Sequence, residues 1–245
     1  MKILLIFFTT LLFAWQADFE NDKIGLYTKQ EWKKDFPNAT GYRSSGIPQK
    51  RIYIEKNDSK VLCVRFEKGL SNKGGAKWRM PFSAKNSVSL EYELFFQKDF
   101  NFNKGGKLPG IGGGEGPTGG KPSKKGYSVR FMWYSSGTKN SINNPNLANL
   151  FLYLYLPNQK QKYGLNIPLN TLIVPNKKYK IKLFVSKDGI IKVWVNEKLK
   201  LFKKFNLNTI PPNQLLFHIF FGGHTKKWAS PKRQKVCFDN FKISR

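Results

Sequence analysis

Hydrophobic and polar residues alternate along this chain in short runs with a period of two, the spacing that turns one side of an extended strand toward a core. The runs fall at residues 51–55, 61–67, 88–96, 127–134, 150–156, 179–185, 190–195, 198–202, 215–221 and 235–243, with turn-forming residues between them. Asp188-Gly189 and Asn196-Glu197 separate three consecutive runs and predict tight hairpins. The helical spacing i, i+3, i+4, i+7 is not sustained anywhere after residue 17, no repeat of fixed period is visible, and no Pro/Ser-rich linker divides the chain. Ten strands in one uninterrupted unit predict an all-β fold over residues 18–245, a single-domain β-jelly roll made of two antiparallel sheets packed as a sandwich.

Residues 1–17 are patterned differently. Lys2 is the one charge ahead of an apolar run over residues 3–15, and Ala14 and Ala17 are small residues of the kind found at a cleavage site. The run is shorter than the roughly 20 apolar residues of a membrane span. The segment therefore reads as a signal peptide and the product as secreted, without stable membrane association. The triplets Asn38-Ala39-Thr40 and Asn57-Asp58-Ser59 have the form of glycosylation acceptors and fit export. Cys63 and Cys237 sit in strand-like runs near the two ends. In an oxidising compartment they pair if those strands are neighbours, and otherwise stand as two buried thiols.

Composition narrows the partner. The 245 residues carry 43 Lys+Arg against 15 Asp+Glu, a net charge of +28, and with 21 Phe, 10 Tyr and 6 Trp the chain is too rich in core formers to be disordered. Two Cys cannot supply a four-cysteine zinc site and two His leave little room for metal catalysis, so neither a metal nor another cofactor is expected. The surplus charge asks for a polyanion, although 36 of the basic residues are Lys and only 7 Arg, a bias that an AT-rich coding sequence would also produce. Nucleic-acid grooves favour the arginine fork, and export separates the protein from such partners, so no nucleic acid is expected.

One segment breaks the strand pattern. Residues 105–126 hold ten glycines and read as a long surface loop. A formal GxGxxG at residues 114–119 contains Pro117 and has no strand–helix context, and neither Lys107 nor Lys121 is followed by the Ser or Thr of a phosphate-binding loop. On either side of it, alternation sorts the candidate chemistry. Val129, Phe131 and Trp133 share one face of their run, and Leu152, Leu154 and Leu156 share one face of theirs. The opposite faces present Ser128, Arg130, Tyr153 and Tyr155, expected on the exposed side of a sheet, with the two phenols roughly 7 Å apart.

Three stretches occur in a telling order: Gly105-Gly106-Lys107-Leu108-Pro109-Gly110, Tyr127-Ser128-Val129-Arg130-Phe131-Met132-Trp133, and Tyr153-Leu154-Tyr155-Leu156-Pro157. Together they resemble the ordered motifs of polysaccharide lyase family 14, which includes molluscan alginate lyases and the glucuronate lyases of algal viruses. The tail, from Phe220-Phe221-Gly222-Gly223 through Trp228 to Phe238-Asp239-Asn240-Phe241, resembles the family's closing segment, and Gly74-Gly75-Ala76-Lys77-Trp78 fits more loosely. The resemblance implies a β-jelly roll that cleaves uronic-acid polymers by β-elimination without a metal. Its site residues would be Lys107, Ser128, Arg130, Tyr153 and Tyr155. The chain departs from the pattern in the extra glycines of residues 112–120 and in His218, which stands where a small hydroxyl residue is expected.

The residues suit that chemistry on their own terms. Removing the C5 proton of a uronate builds negative charge beside a carboxylate, and a fixed cation lowers that barrier. Arg130 and Lys107 are the candidate cations and Ser128 a hydrogen-bond donor. A base must take the C5 proton and an acid must protonate the leaving O4. Tyr153 or Tyr155, with a pKa lowered by the cations, fits either role, and Lys107 as base is the variant reading. His218 either adds a donor to the groove or is a hydrogen-bonded histidine on a sheet face, and His224 is a surface residue. The expected partner is an anionic polysaccharide, bound by a monomer. The rival enzyme is a jelly-roll glycoside hydrolase using Glu91 and Glu93, two carboxylates on one strand face, and the rival without chemistry is a carbohydrate-binding lectin.

Overall fold

The computed structural model describes residues 13–135, 144–223 and 225–245, so His224 lies outside them. Two antiparallel sheets pack face to face, as the alternation predicts. The six-stranded sheet runs in the order β10 (Leu165–Ile173), β9 (Ala148–Tyr155), β8 (Gly126–Tyr134), β7 (Gly105–Gly114), β14 (Pro212–Phe221), β5 (Ala76–Pro81). The other runs β13 (Lys198–Lys204), β12 (Ile190–Val195), β11 (Lys178–Ser186), β6 (Ser87–Phe96), β15 (Gln234–Ser244), β4 (Lys60–Phe66), β3 (Ile52–Lys56), β2 (Gly25–Leu26), with β1 (Phe13–Ala17) also paired to β15. The predicted hairpins join β11 to β12 and β12 to β13. Asn196 and Glu197 both have positive φ, 48° and 66°, as a two-residue hairpin turn requires.

Strand β6 shows the alternation at its cleanest: Val88, Leu90, Tyr92, Leu94 and Phe96 are buried in the core while the residues between them face outward. Aromatic rings fill much of the space between the sheets. Trp133 meets Phe66, Phe96, Phe100 and Phe221 at centroid distances of 5.3 to 6.2 Å, all edge-on, the arrangement ring quadrupoles favour. Cys63 and Cys237 stand directly opposite each other on β4 and β15 and form a disulfide. The helix among the described residues, α1 (Lys29–Asp35), is one short segment, capped by Thr28 and Glu31 in a reciprocal box and anchored by buried Trp32. Of the expected leader, residues 13–17 form β1, and Trp15 packs at a tilt against Phe36 and Phe241 and donates from Nε1 to the Asp35 carbonyl.

The glycine-rich segment is where the structure departs most from expectation. Its first half is not a loop but β7, a central strand between β8 and β14. Glycine serves there because side chains would collide: a Cβ on Gly106 would lie 2.0 Å from the Trp133 ring, and one on Gly110 would lie 2.1 Å from the Val129 carbonyl. Pro109 sits at a β-bulge, where the register to β8 shifts between Lys107 and Gly110. The bulge changes the strand's parity. Leu108 and Ile111, three positions apart, can therefore both point into the core while Lys107 points the other way.

Candidate active site

Register assembles the site on the outer face of the six-stranded sheet. Arg130 on β8 lies opposite Tyr153 on β9, Ser128 opposite Tyr155, and Lys107 on β7 opposite Met132. On the far side of β7, His218 on β14 lies opposite Lys77 on β5. Arg130 stands opposite Gly110, whose partner on β14 is Leu216, and its Nη1 lies 3.4 Å from Nδ1 of His218. The result is a cavity of about 510 Å³ with Lys77, Lys107, Arg130, Tyr153, Tyr155 and His218 among its lining residues.

This face is buried rather than exposed, contrary to the expectation from alternation. Strand β8 is buried on both sides, and Ser128, Arg130, Tyr153 and Tyr155 are 0%, 1%, 8% and 1% accessible. The cover is the second half of the glycine-rich segment, pinned at four points. Arg79 donates to the carbonyls of Glu115 and Gly116, Ser128 Oγ donates to the Pro117 carbonyl at 2.7 Å, and the Gly120 N–H donates to the Tyr155 hydroxyl at 2.8 Å. Ser128, expected to donate to substrate, spends its proton on this loop and does not line the cavity.

Burial beside other cations sets the protonation states. Burial and the neighbouring Arg130 hold the Lys107 amine well below its ordinary range. Burial, then Arg130, Arg79 and Lys77, keeps His218 a neutral imidazole, the form that accepts from Arg130. Burial lowers Lys77, again with Arg130 nearby, and brings Arg130 down to about 10, so that the guanidinium remains charged at neutral pH. Nε of Arg130 is buried without a partner among the described residues. No carboxylate contributes to the shift of any of these four groups. Among the described residues the groove therefore gathers basic side chains with no carboxylate in its lining, an arrangement that an anion would complete.

The tyrosines correct a second expectation. The cations do not win at Tyr153: burial outweighs Arg130 and raises its phenol above 10.0. Its hydroxyl accepts from the Gly164 N–H at 3.2 Å and lies 3.5 Å from the Tyr155 hydroxyl. The Lys107 Nζ stands 3.4 Å from the centre of the Tyr153 ring and also touches the Met132 sulfur. Of the residues singled out from sequence, Lys107, Arg130, Tyr153, Tyr155 and His218 thus come together. Lys77 was missing from that set, although the Gly74–Trp78 motif contains it. Glu91 and Glu93 do not join them. They lie on β6 in the other sheet, paired to Lys182 at 2.9 Å and Lys178 at 3.4 Å.

A model of the polysaccharide lyase 14 family matches residues 55–241. The chain belongs to polysaccharide lyase family 14. Solved structures agree with that membership across nearly the whole fold. The alginate lyase Aly36B superposes with a TM-score of 0.78 at 25% identity, covering 94% of this chain and 96% of that one. A lysine and tyrosine double mutant of Aly36B has been solved with an alginate tetrasaccharide. A marine alginate lyase from Aplysia kurodai shares the fold at 22% identity and a TM-score of 0.75, with 94% and 98% of the two chains covered. The alginate lyase vAL-1 from Chlorella virus does so at 23% identity, a TM-score of 0.67, and coverage of 80% and 89%. No curated protein sequence gives a match.

Proposed function

We propose that this family 14 protein is a secreted lyase that cleaves 1,4-linked uronic-acid polymers, alginate before glucuronan, by β-elimination. The observation that carries the reading is the pairing of Arg130 and Lys77, with no carboxylate beside them in the groove, with the buried amine of Lys107 and the protonated phenol of Tyr153. A uronate carboxylate docks on Arg130, whose free Nε and fork offer two parallel donors, with Lys77 adding charge. Lys107, pushed toward its neutral form by burial beside Arg130, takes the proton from C5. The released electron pair forms the C4=C5 double bond as the C4–O4 bond breaks. Tyr153 gives its proton to the departing O4, and Tyr155, fixed by Gly120, holds that phenol in place. The proton gained by Lys107 returns to the Tyr153 phenolate, closing the cycle without a metal step. His218 stays neutral and fixes the Arg130 fork.

Alginate leads because Aly36B, the 25%-identical neighbour, is an alginate lyase. Export is supported by the apolar run over residues 3–15 and by the disulfide, which survives in oxidising compartments. The test is ultraviolet absorbance of the unsaturated uronate during incubation with polymannuronate, polyguluronate and glucuronan. Growth of that absorbance is expected on at least one. New reducing ends without it would mean hydrolysis, and binding without either product would mean a lectin.

A further inference from the structure

The opposite face of the sandwich carries a second arrangement of rings and cations. On the solvent side of the nine-stranded sheet, Phe184 on β11 lies opposite Lys192 on β12, which lies opposite Phe202 on β13, while Lys182 lies opposite Trp194. The Lys192 Nζ stands 5.6 Å from the Phe184 ring centre and 4.9 Å from that of Phe202, and the Lys182 Nζ stands 5.7 Å from Trp194. Phe184, Lys192, Lys182 and Trp194 border a shallow trough of about 560 Å³, which Glu91 and Glu197 also line, and Phe202 stands just outside it. Phe202 is 63% and neighbouring Leu199 54% exposed, the kind of apolar patch that marks a contact surface.

Sheet protection does not explain the pattern. Lysines on an edge strand such as β13 discourage pairing with another chain, but Lys192 and Trp194 are on β12, flanked on both sides. Nor is internal pairing the reason. Lys182 is taken by Glu91, whereas Lys192 has no carboxylate partner among the described residues. A ring on either side of an unpaired ammonium suits a ligand with apolar C–H faces and an anion beside them.

We propose that this face is a second, non-catalytic binding site for the uronate polymer, with sugar rings lying on Trp194 and Phe202 and a carboxylate on Lys192. The identity of the polymer rests on the reading of the groove given above. The two sites open on opposite sheets, so one molecule can hold one chain while cutting another. On a gelled or concentrated polymer the tethered enzyme then works at high effective concentration.

The experiment uses the full chain in a Lys107→Ala background, which binds without cutting, and measures retardation in gels cast with alginate. Adding Lys192→Glu and Phe202→Ala, both at solvent-facing positions, is expected to weaken retardation about tenfold. A Trp194→Ala version, checked for folding by its melting curve, should do the same. In the active background the Lys192→Glu, Phe202→Ala protein should turn over an alginate trisaccharide at the native rate but clear an alginate gel more slowly. Unchanged retardation in the surface variants overturns the proposal, as does abolition of all retardation by Arg130→Ala alone. Retardation that depends on the surface residues, with no unsaturated product from any polymer, would uphold this site and overturn the lyase reading instead.

Discussion

At the scale of single residues, burial acts on a lysine and a tyrosine of the groove in directions that suit the proposed reaction. Burial disfavours charge, so the amine of Lys107 is pushed toward its neutral form and the phenol of Tyr153 toward its protonated form. In the proposed mechanism one serves as base and the other as acid at the same pH. Lys107→Ala and Tyr153→Phe should each lower kcat by about 10²- to 10⁴-fold, the range for losing a positioned proton-transfer group, with KM changed far less. Near-native turnover in either variant would remove that residue from the mechanism. The rate should rise with pH as Lys107 loses its proton, with a midpoint below the ordinary 10.5, and fall as Arg130 loses its charge at about 10 and, higher still, as Tyr153 ionises. The same shift acts on stability. The unfolded chain keeps the Lys107 proton up to about pH 10.4, whereas the folded chain releases it earlier, so stability climbs with pH between those two points. Lys107→Met should flatten that climb and raise the melting temperature at neutral pH. Parallel melting curves for the two proteins across that range would contradict it.

At the scale of elements, strand β7 and the loop that follows it position everything else. Gly110 stands opposite Arg130, and its missing Cβ avoids the Val129 carbonyl and the Arg130 backbone. Gly110→Ala should therefore cost about 1–3 kcal/mol of stability, as overpacking typically does, and reduce activity beyond what the lost stability explains. Removing the tie between Ser128 and Pro117 has a different signature. Ser128→Ala leaves a carbonyl under the loop without its donor, and faster amide exchange is expected at Gly116 and Gly120 together with a raised KM. Exchange at the native rate would show that the other ties suffice. These two elements also show what a sequence can convey. The alternating strands and the motif residues were legible because a half-buried strand repeats every two positions. Strand β7 was hidden because its glycines, required by close contacts with Trp133 and Val129, look the same as loop glycines. Strand β10 was hidden by Pro168 and by Asn170 at φ 47°, which its place at the sheet edge tolerates. Alternation assigned Ser128, Arg130, Tyr153 and Tyr155 to the correct face of the sheet. It could not reveal that residues 115–120 fold back over that face, because the covering contacts are between residues distant in sequence.

At the scale of the whole molecule, two features bear on how the enzyme meets its substrate: the staple across the large sheet and the charge of +28. The disulfide spans 174 residues and joins β4 to β15, so its loss frees almost the entire fold in the unfolded state. A Cys63→Ser, Cys237→Ser variant should lose about 2–5 kcal/mol of stability while keeping its groove intact. The charge acts at longer range. Within the groove the cations are buried and weakly screened, so carboxylate binding by Arg130 should vary little with salt. On the surface, the lysines attract a polyanion over distances comparable with the Debye length, about 10 Å at 0.1 M ionic strength, and that attraction fades as salt rises. The two contributions separate by substrate length. Turnover of a trisaccharide samples mainly the groove, whereas kcat/KM on a long polymer also contains the steering by the outer lysines. From 0.05 to 0.5 M salt, kcat/KM on the polymer should fall by about tenfold or more while that on the trisaccharide falls much less. Equal salt dependence for both would mean that the excess charge outside the groove contributes nothing to capture, and that only the buried cations matter.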